Sequence, residues 1–197
     1  MPLRLAVFLS GSGRTLENFF SEIAAGRLPA EIVAVVSSRS DAFGLQRAKN
    51  HGVPAFVVPA KEHKDAASLG RAAFAAVEPF RPDLVALAGW NHLVEIPKAY
   101  ERRVLNIHPA LLPAFGGKGY YGMKVHEAVI RSGAKESGCT VHFADNLYDH
   151  GAIVLQRNVP VLPGDTPDAL AHRVFEEECR AYPEAIRILA ERRGAAK

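Results

Sequence analysis

The sequence predicts an α/β protein built on a doubly wound, mostly parallel sheet with an antiparallel C-terminal strand pair. Three observations carry this reading. Short, nearly continuous apolar runs, among them Leu3 to Leu9 and Glu31 to Ser38, read as strands buried on both faces. Helical patterns alternate with these runs at the spacing of βαβ units. From Ser137 onward the runs alternate apolar with polar, as antiparallel or mixed strands do.

The elements follow in order. Leu3 to Leu9 is the first strand, and the turn Ser10-Gly11-Ser12-Gly13-Arg14-Thr15 follows it. Leu16, Phe19, Phe20 and Ile23 mark one face of a helix ending near Gly26. Glu31 to Ser38 is a second strand, Asp41 to Asn50 a short helix closed by His51-Gly52, and Val53 to Val58 a third strand. Leu69 to Val77 is helical, Asp83 to Ala88 is the fourth strand, and Leu93 to Tyr100 is expected to be a brief helix. Leu105 to His108 is the fifth strand, residues 109 to 122 form a long glycine-rich loop, and Met123 to Ser132 is a helix stopped by Gly133. Two strands follow, Ser137 to Asp145 and Ala152 to Val161, with Pro160 marking a sheet edge that is a candidate homodimer surface. Thr166-Pro167-Asp168 is a helix start, and the last helix is expected to be interrupted near Pro183.

Composition bounds the function. A chain of 197 residues fits one domain, 1–197, with a sizeable core. The formal charge of +3, from 24 basic and 21 acidic residues, is too small to argue for a nucleic-acid partner. Cys139 and Cys179 form no disulfide framework and read as reduced thiols of a cytoplasmic protein. No apolar run approaches the roughly 20 residues that span a membrane, and no signal peptide is expected before the first strand.

The chemistry gathers at Val104-Leu105-Asn106-Ile107-His108-Pro109. Residues two apart in a strand share a face, so Asn106 and His108 project together while Leu105 and Ile107 point the other way. Pro109 ends the strand. An amide that can polarise a carbonyl and an imidazole that can move a proton thus stand at the carboxyl end of a strand, where open α/β sheets bind ligands. The glycine turn at 10 to 15 can present backbone N–H groups to an anion. It is neither a dinucleotide fingerprint, because residue 16 is Leu, nor a P-loop, because the Gly-Lys-Ser/Thr ending is missing. His126, His142 and His150 lack the i, i+4 zinc pattern and read as structural or as supports of the catalytic side chains.

Taken jointly, these motifs resemble a known family. Asn-x-His-Pro-x-Leu-Leu-Pro at 106 to 113, with Thr-Val-His-Phe at 140 to 143 and Asp149-x-Gly151, is similar to the formyltransferases that use 10-formyltetrahydrofolate. The Ser-Gly-x-Gly turn and Asp41-Ala42-Phe43-Gly44-Leu45 bring the resemblance closest to the phosphoribosylglycinamide formyltransferase family of purine synthesis. The resemblance covers roughly residues 3 to 190 and implies a Rossmann-like fold, catalytic Asn106, His108 and Asp149, and no metal. It implies that Gly13, Arg14, Thr15 and Glu178 bind the ribonucleotide. It also implies that Asn91, His92, Leu93, Val94, Asn106 and Asp145 bind the folate, largely through backbone groups. The implied partners are glycinamide ribonucleotide and 10-formyltetrahydrofolate, the latter as co-substrate. Asp149 is expected to raise the pKa of His108 by charge pairing. Lys118 and Arg14 are candidate sources of positive charge for the phosphate. Formyltetrahydrofolate hydrolases and other formyltransferase-domain enzymes share the Asn, His and Asp; they usually carry a further domain, which this chain is not expected to have.

Overall fold

In the computed structural model, which describes residues 2–195, the apolar runs become the strands β1 (Leu3–Leu9), β2 (Ala30–Ser37), β3 (Ala55–Val57), β4 (Leu84–Leu87), β5 (Val104–His108), β6 (Glu136–Phe143) and β7 (Ile153–Pro160). They form one sheet in the order β3-β2-β1-β4-β5-β6-β7. The first five strands are parallel, and β6 and β7 add antiparallel pairings on the β5 side. Five helices connect them: α1 (Arg14–Ala24), α2 (Phe43–Asn50), α3 (Ala66–Val77), α4 (Met123–Ser132) and α5 (Pro167–Ala195). The chain winds from β1 to β3 on one side and then crosses to β4 on the other. The switch point therefore lies between β1 and β4, where α/β sheets open a crevice.

Both faces of the sheet are covered, which is why the parallel strands read as continuous apolar runs. One core holds Leu5, Val7, Leu105 and Val141 under Phe19, Val129, Leu170 and Tyr182 of the helices. The other holds Phe8, Val36, Val85 and Val104 under Leu69, Phe74 and Trp90. Burying each of these large side chains contributes roughly 1.5–3 kcal/mol. At the switch point Ser10 ties the exits of the strands together. Its N–H donates to Gly89 O at 3.0 Å, and its hydroxyl accepts from Asn91 N at 3.1 Å and from Ser38 Oγ at 2.7 Å.

Three sequence expectations are corrected. The third strand is shorter than Val53 to Val58, because β3 is the sheet edge and Pro54 cannot donate to a ladder. Residues 93 to 100 form no helix beyond a 3-10 turn at Lys98–Tyr100. Pro97 disfavours a helical Ile96, and tertiary partners take the backbone: Glu95 N donates to Ala66 O and Ile96 N to Asn146 Oδ1. Helix α5 also runs through Pro183 without a break. A proline at 183 leaves the Cys179 carbonyl without its helical donor. Asn18 of α1 supplies the replacement, its Nδ2 donating to Cys179 O at 2.8 Å.

This substitute bond yields a prediction. Asn18→Ala leaves a partly buried carbonyl unsatisfied at a place where the helix cannot help it, and should cost about 1–2 kcal/mol in urea unfolding. Unchanged stability would show that the α1–α5 seam does not depend on it.

Candidate active site

Asn106 and His108 project from one face of β5 beside Val104, while Leu105 and Ile107 pack into the opposite core. Antiparallel pairing sets His142 of β6 directly across from Asn106, next to a bulge between Val141 and His142. His142 Nε2 lies 3.1 Å from Asn106 Nδ2, and its Nδ1 lies 2.9 Å from the Phe143 carbonyl. These contacts fix the neutral tautomer, with Nδ1–H donating to Phe143 O and Nε2 accepting from the Asn106 amide.

The turn after β6 brings Asp149 to the same point. Its φ of +52° is left-handed, a conformation that costs a non-glycine residue on the order of 1 kcal/mol. The contacts of its side chain, which is only 9% exposed, hold it there. Oδ1 accepts from Asn106 Nδ2 at 3.3 Å, Oδ2 accepts from Gly117 N at 2.9 Å, and Oδ2 stands 3.4 Å from His108 Nδ1. The other ring nitrogen of His108, Nε2, is 2.8 Å from the Phe115 carbonyl. Both nitrogens of His108 therefore face acceptors, which only the imidazolium satisfies.

The loop at 109 to 122 is thus part of the site rather than a bystander. Thr140 and Gln156 fold its start back onto the sheet. Thr140 Oγ1 donates to Ala110 O at 2.7 Å and accepts from Leu112 N at 3.0 Å, while Gln156 Nε2 donates to Leu112 O at 3.0 Å. Where the loop passes Asp149, a Cβ at Gly116 would meet Leu112 Cδ2 at 2.4 Å, so a larger residue there would have to displace the Leu112 side chain.

The electrostatics are balanced between opposing effects. Burial lowers the His108 pKa, and the Asp149 carboxylate and the Phe115 carbonyl offset this only in part. Asp149 thus raises the His108 pKa by charge pairing as expected, but desolvation outweighs it and the net shift is a fall. Burial pushes the Asp149 carboxyl up, but the neighbouring His142 and His108 rings and the Gly117 N–H together hold it below the ordinary aspartate value.

The residues expected to bind the ribonucleotide form a second group at the N-terminus of α1. Gly13 takes φ +68° at the cap, and Gly44 of α2 packs so closely that a Cβ at Gly13 would lie 2.6 Å from its Cα. Arg14 and Thr15 open the helix, so their N–H groups precede the first intrahelical bond, Glu17 N to Gly13 O. Glu178 approaches from α5; burial pushes its carboxyl up to about 7, with Arg14 acting in the opposite direction. Lys118 lies exposed on the glycine loop.

The residues expected to bind folate lie on the loops that follow β4 and β6. Asn91 and His92 are exposed, Leu93 is half-buried, and the Val94 side chain is in the core at 3% exposure, leaving only its backbone for a ligand. The Asp145 carboxylate is committed to Leu147 N and His150 Nδ1, both at 2.8 Å. Asp145 and Phe143 line a cavity of about 430 Å³ together with Ile96, Arg102, Ala144 and Gly151. Among the described residues, no group of three or more His, Cys, Asp and Glu could hold a metal ion, and no helix is long and apolar enough to cross a membrane.

His142, expected to be structural or to support the catalytic side chains, touches both Asn106 and Asp149. The alternation of Thr140, His142 and Ala144 was the available signal, but the register that pairs His142 with Asn106 is long-range.

Residues 3–186 match the formyl transferase family, and the chain belongs to it. Within that family it is similar to phosphoribosylglycinamide formyltransferases. It is 44% identical over 96% of its length to the chloroplastic phosphoribosylglycinamide formyltransferase of Vigna unguiculata, spanning 62% of that longer protein. It is 35% identical to the Haemophilus influenzae phosphoribosylglycinamide formyltransferase, covering 96% of this chain and 88% of that one. The crystal structure of glycinamide ribonucleotide transformylase 1 from Symbiobacterium toebii superposes with a TM-score of 0.89 at 41% identity, covering 96% of this chain and 88% of that one.

The raised Glu178 carboxyl yields a prediction about stability and pH. A carboxyl whose folded pKa is raised disfavours the folded state once pH climbs above its unfolded value, and fully so above about 7. Glu178→Gln should match the wild type in thermal melts near pH 4 and exceed it at pH 8, by up to roughly 3 kcal/mol. An equal difference at both pH values would mean that the carboxyl is not perturbed.

Proposed function

We propose that the protein transfers the formyl group of 10-formyltetrahydrofolate to the primary amine of glycinamide ribonucleotide in purine synthesis. The observation that carries this reading is the convergence of Asn106, His108 and Asp149, from two separate segments, at the carboxyl end of β5. The amine attacks the formyl carbon and an oxyanion develops on the formyl oxygen. Asn106 and the His108 imidazolium donate to that oxygen, a type of contact worth on the order of a hundredfold or more in rate. Both Asn106 N–H bonds and both His108 ring nitrogens are engaged in the free protein, so the amide exchanges its longer bond, 3.3 Å to Asp149, and His108 its Nε2 contact with the Phe115 carbonyl, for the substrate oxygen. Asp149 stabilises the imidazolium as it forms, offsetting the burial that disfavours it. The attacking amine loses a proton and the leaving folate nitrogen gains one, and His108 is placed to shuttle it.

In the same reading, the N–H groups of Gly13, Arg14 and Thr15 hold the phosphate at the positive end of α1. Glu178 contacts the ribose hydroxyls. The pterin of the folate lies along residues 91–94 and Asp145, held mainly by main-chain groups. The half-buried Cys179 and buried Cys139 are free thiols, which fits a reducing compartment, and we place the activity in the cytosol.

The test is spectrophotometric turnover of 10-formyltetrahydrofolate with and without glycinamide ribonucleotide. The expected result is turnover only with the ribonucleotide, falling at least a hundredfold in a folded His108→Ala variant. Formate release without the ribonucleotide would make the protein a hydrolase, and near-normal transfer by His108→Ala would remove the imidazole from the mechanism.

A further inference from the structure

Helices α1 and α5 meet at three successive levels along one stripe of each. The Phe19 ring packs edge-on against Tyr182 with centroids 5.1 Å apart, and both side chains are fully buried. Next, Asn18 Nδ2 donates to Cys179 O at 2.8 Å. One turn nearer the start of α1, the Arg14 guanidinium lies over the Phe175 ring, 4.1 Å from its centroid. Residues 14 and 18, and likewise 175 and 179, are four apart, so each pair rises along one helix face. The two lower contacts fix the register of the helices, and that register delivers the Phe175 ring beneath Arg14.

The position of Arg14 is electrostatically odd. It is the first residue of α1, where free N–H groups already concentrate positive charge. A second positive group there is unfavourable unless an anion is expected. Among the described residues Arg14 forms no ion pair. The acid of α5 that feels its charge, Glu178, lies one turn from Phe175 but does not pair with Arg14. The face of the aromatic ring is what steadies the cation.

We propose that Phe175 is a positioning residue that holds Arg14 as a preformed cationic contact for the phosphate of the acceptor, so that this pair sets the preference for a phosphorylated over an unphosphorylated acceptor. The identity of the acceptor rests on the function proposed above, whereas the anion preference rests on the Arg14–Phe175 geometry. Phe175 touches no substrate and acts through Arg14. An arginine stem that merely shields an apolar ring would predict no effect on ligand affinity.

The experiment compares Phe175→Leu, Phe175→Tyr, Arg14→Ala and the Arg14→Ala/Phe175→Leu double variant in steady-state assays. Phe175→Leu should raise KM for the ribonucleotide about three- to fivefold, the size of an exposed cation–π contact, with kcat and the KM for folate held. Phe175→Tyr, which keeps the ring face, should stay near wild type. Arg14→Ala should raise KM further, and Phe175→Leu should add nothing in that background. An unchanged KM in Phe175→Leu, or the same increment with and without Arg14, would overturn the proposal.

A second readout needs no turnover: the melting-temperature shift produced by ribose 5-phosphate against ribose. Stabilisation by ribose 5-phosphate alone, weakened in Phe175→Leu and weakened further in Arg14→Ala, supports the pair. No stabilisation of the wild type, or equal stabilisation of Arg14→Ala, overturns it. If the ribonucleotide gives no turnover while this pattern holds, the proposed reaction fails and the cationic contact stands.

Discussion

Asp149 carries a carboxylate almost wholly covered by protein, with histidines rather than lysine or arginine beside it. A buried charge left without partners costs several kcal/mol or gives up its charge. This one keeps it because separate parts of the chain send donors or cationic character to one point. Asn106 and His108 come from β5 and the Gly117 N–H from the glycine loop, while His142 of β6 holds the Asn106 amide beside the carboxylate. Most of the local architecture follows from that requirement. The long loop after Pro109 must return to deliver Gly117, so Thr140 and Gln156 pin its first residues. The turn after β6 must present the carboxylate, so Asp149 accepts a left-handed backbone.

The same constraint shapes the chemistry. His108 sits between two acceptors that call for a second proton and a burial that resists it. Its protonation state is therefore easily tipped by an arriving substrate, which is what a proton shuttle requires. The second site at the start of α1 uses a different resource. There the backbone supplies the positive potential, and α5 supplies the side chains that frame it. The Ser10 hydroxyl, bonded to Asn91 N and Ser38, ties the anion turn to the loop after β4, so the two regions share one anchor at the switch point.

What could be read in the sequence was local. Strand β1 and helix α4 have the expected limits, because an apolar run and a glycine cap are contained within their own residues. The pairing of Asn106 with His108 on one face follows from strand geometry alone. Asp149 joined them through resemblance to a family, since nothing in its own turn announces a buried carboxylate. Which catalytic side chain His142 supports is set by the β5–β6 register, which no local pattern shows. The expected helix at 93 to 100 and the expected break at Pro183 failed for one shared reason: tertiary partners, Asn146 in one case and Asn18 in the other, satisfy backbone groups that local rules leave open.

The central claim is that Asp149 governs the charge of His108 inside the buried cluster. The direct measurement is an NMR titration of the His108 ring in the wild type and in Asp149→Asn. The account predicts a wild-type midpoint below that of an ordinary histidine, and a still lower one in the variant, because burial remains while the charge that opposes it is gone. A midpoint that does not move on substitution would contradict the account and leave Asp149 a structural residue.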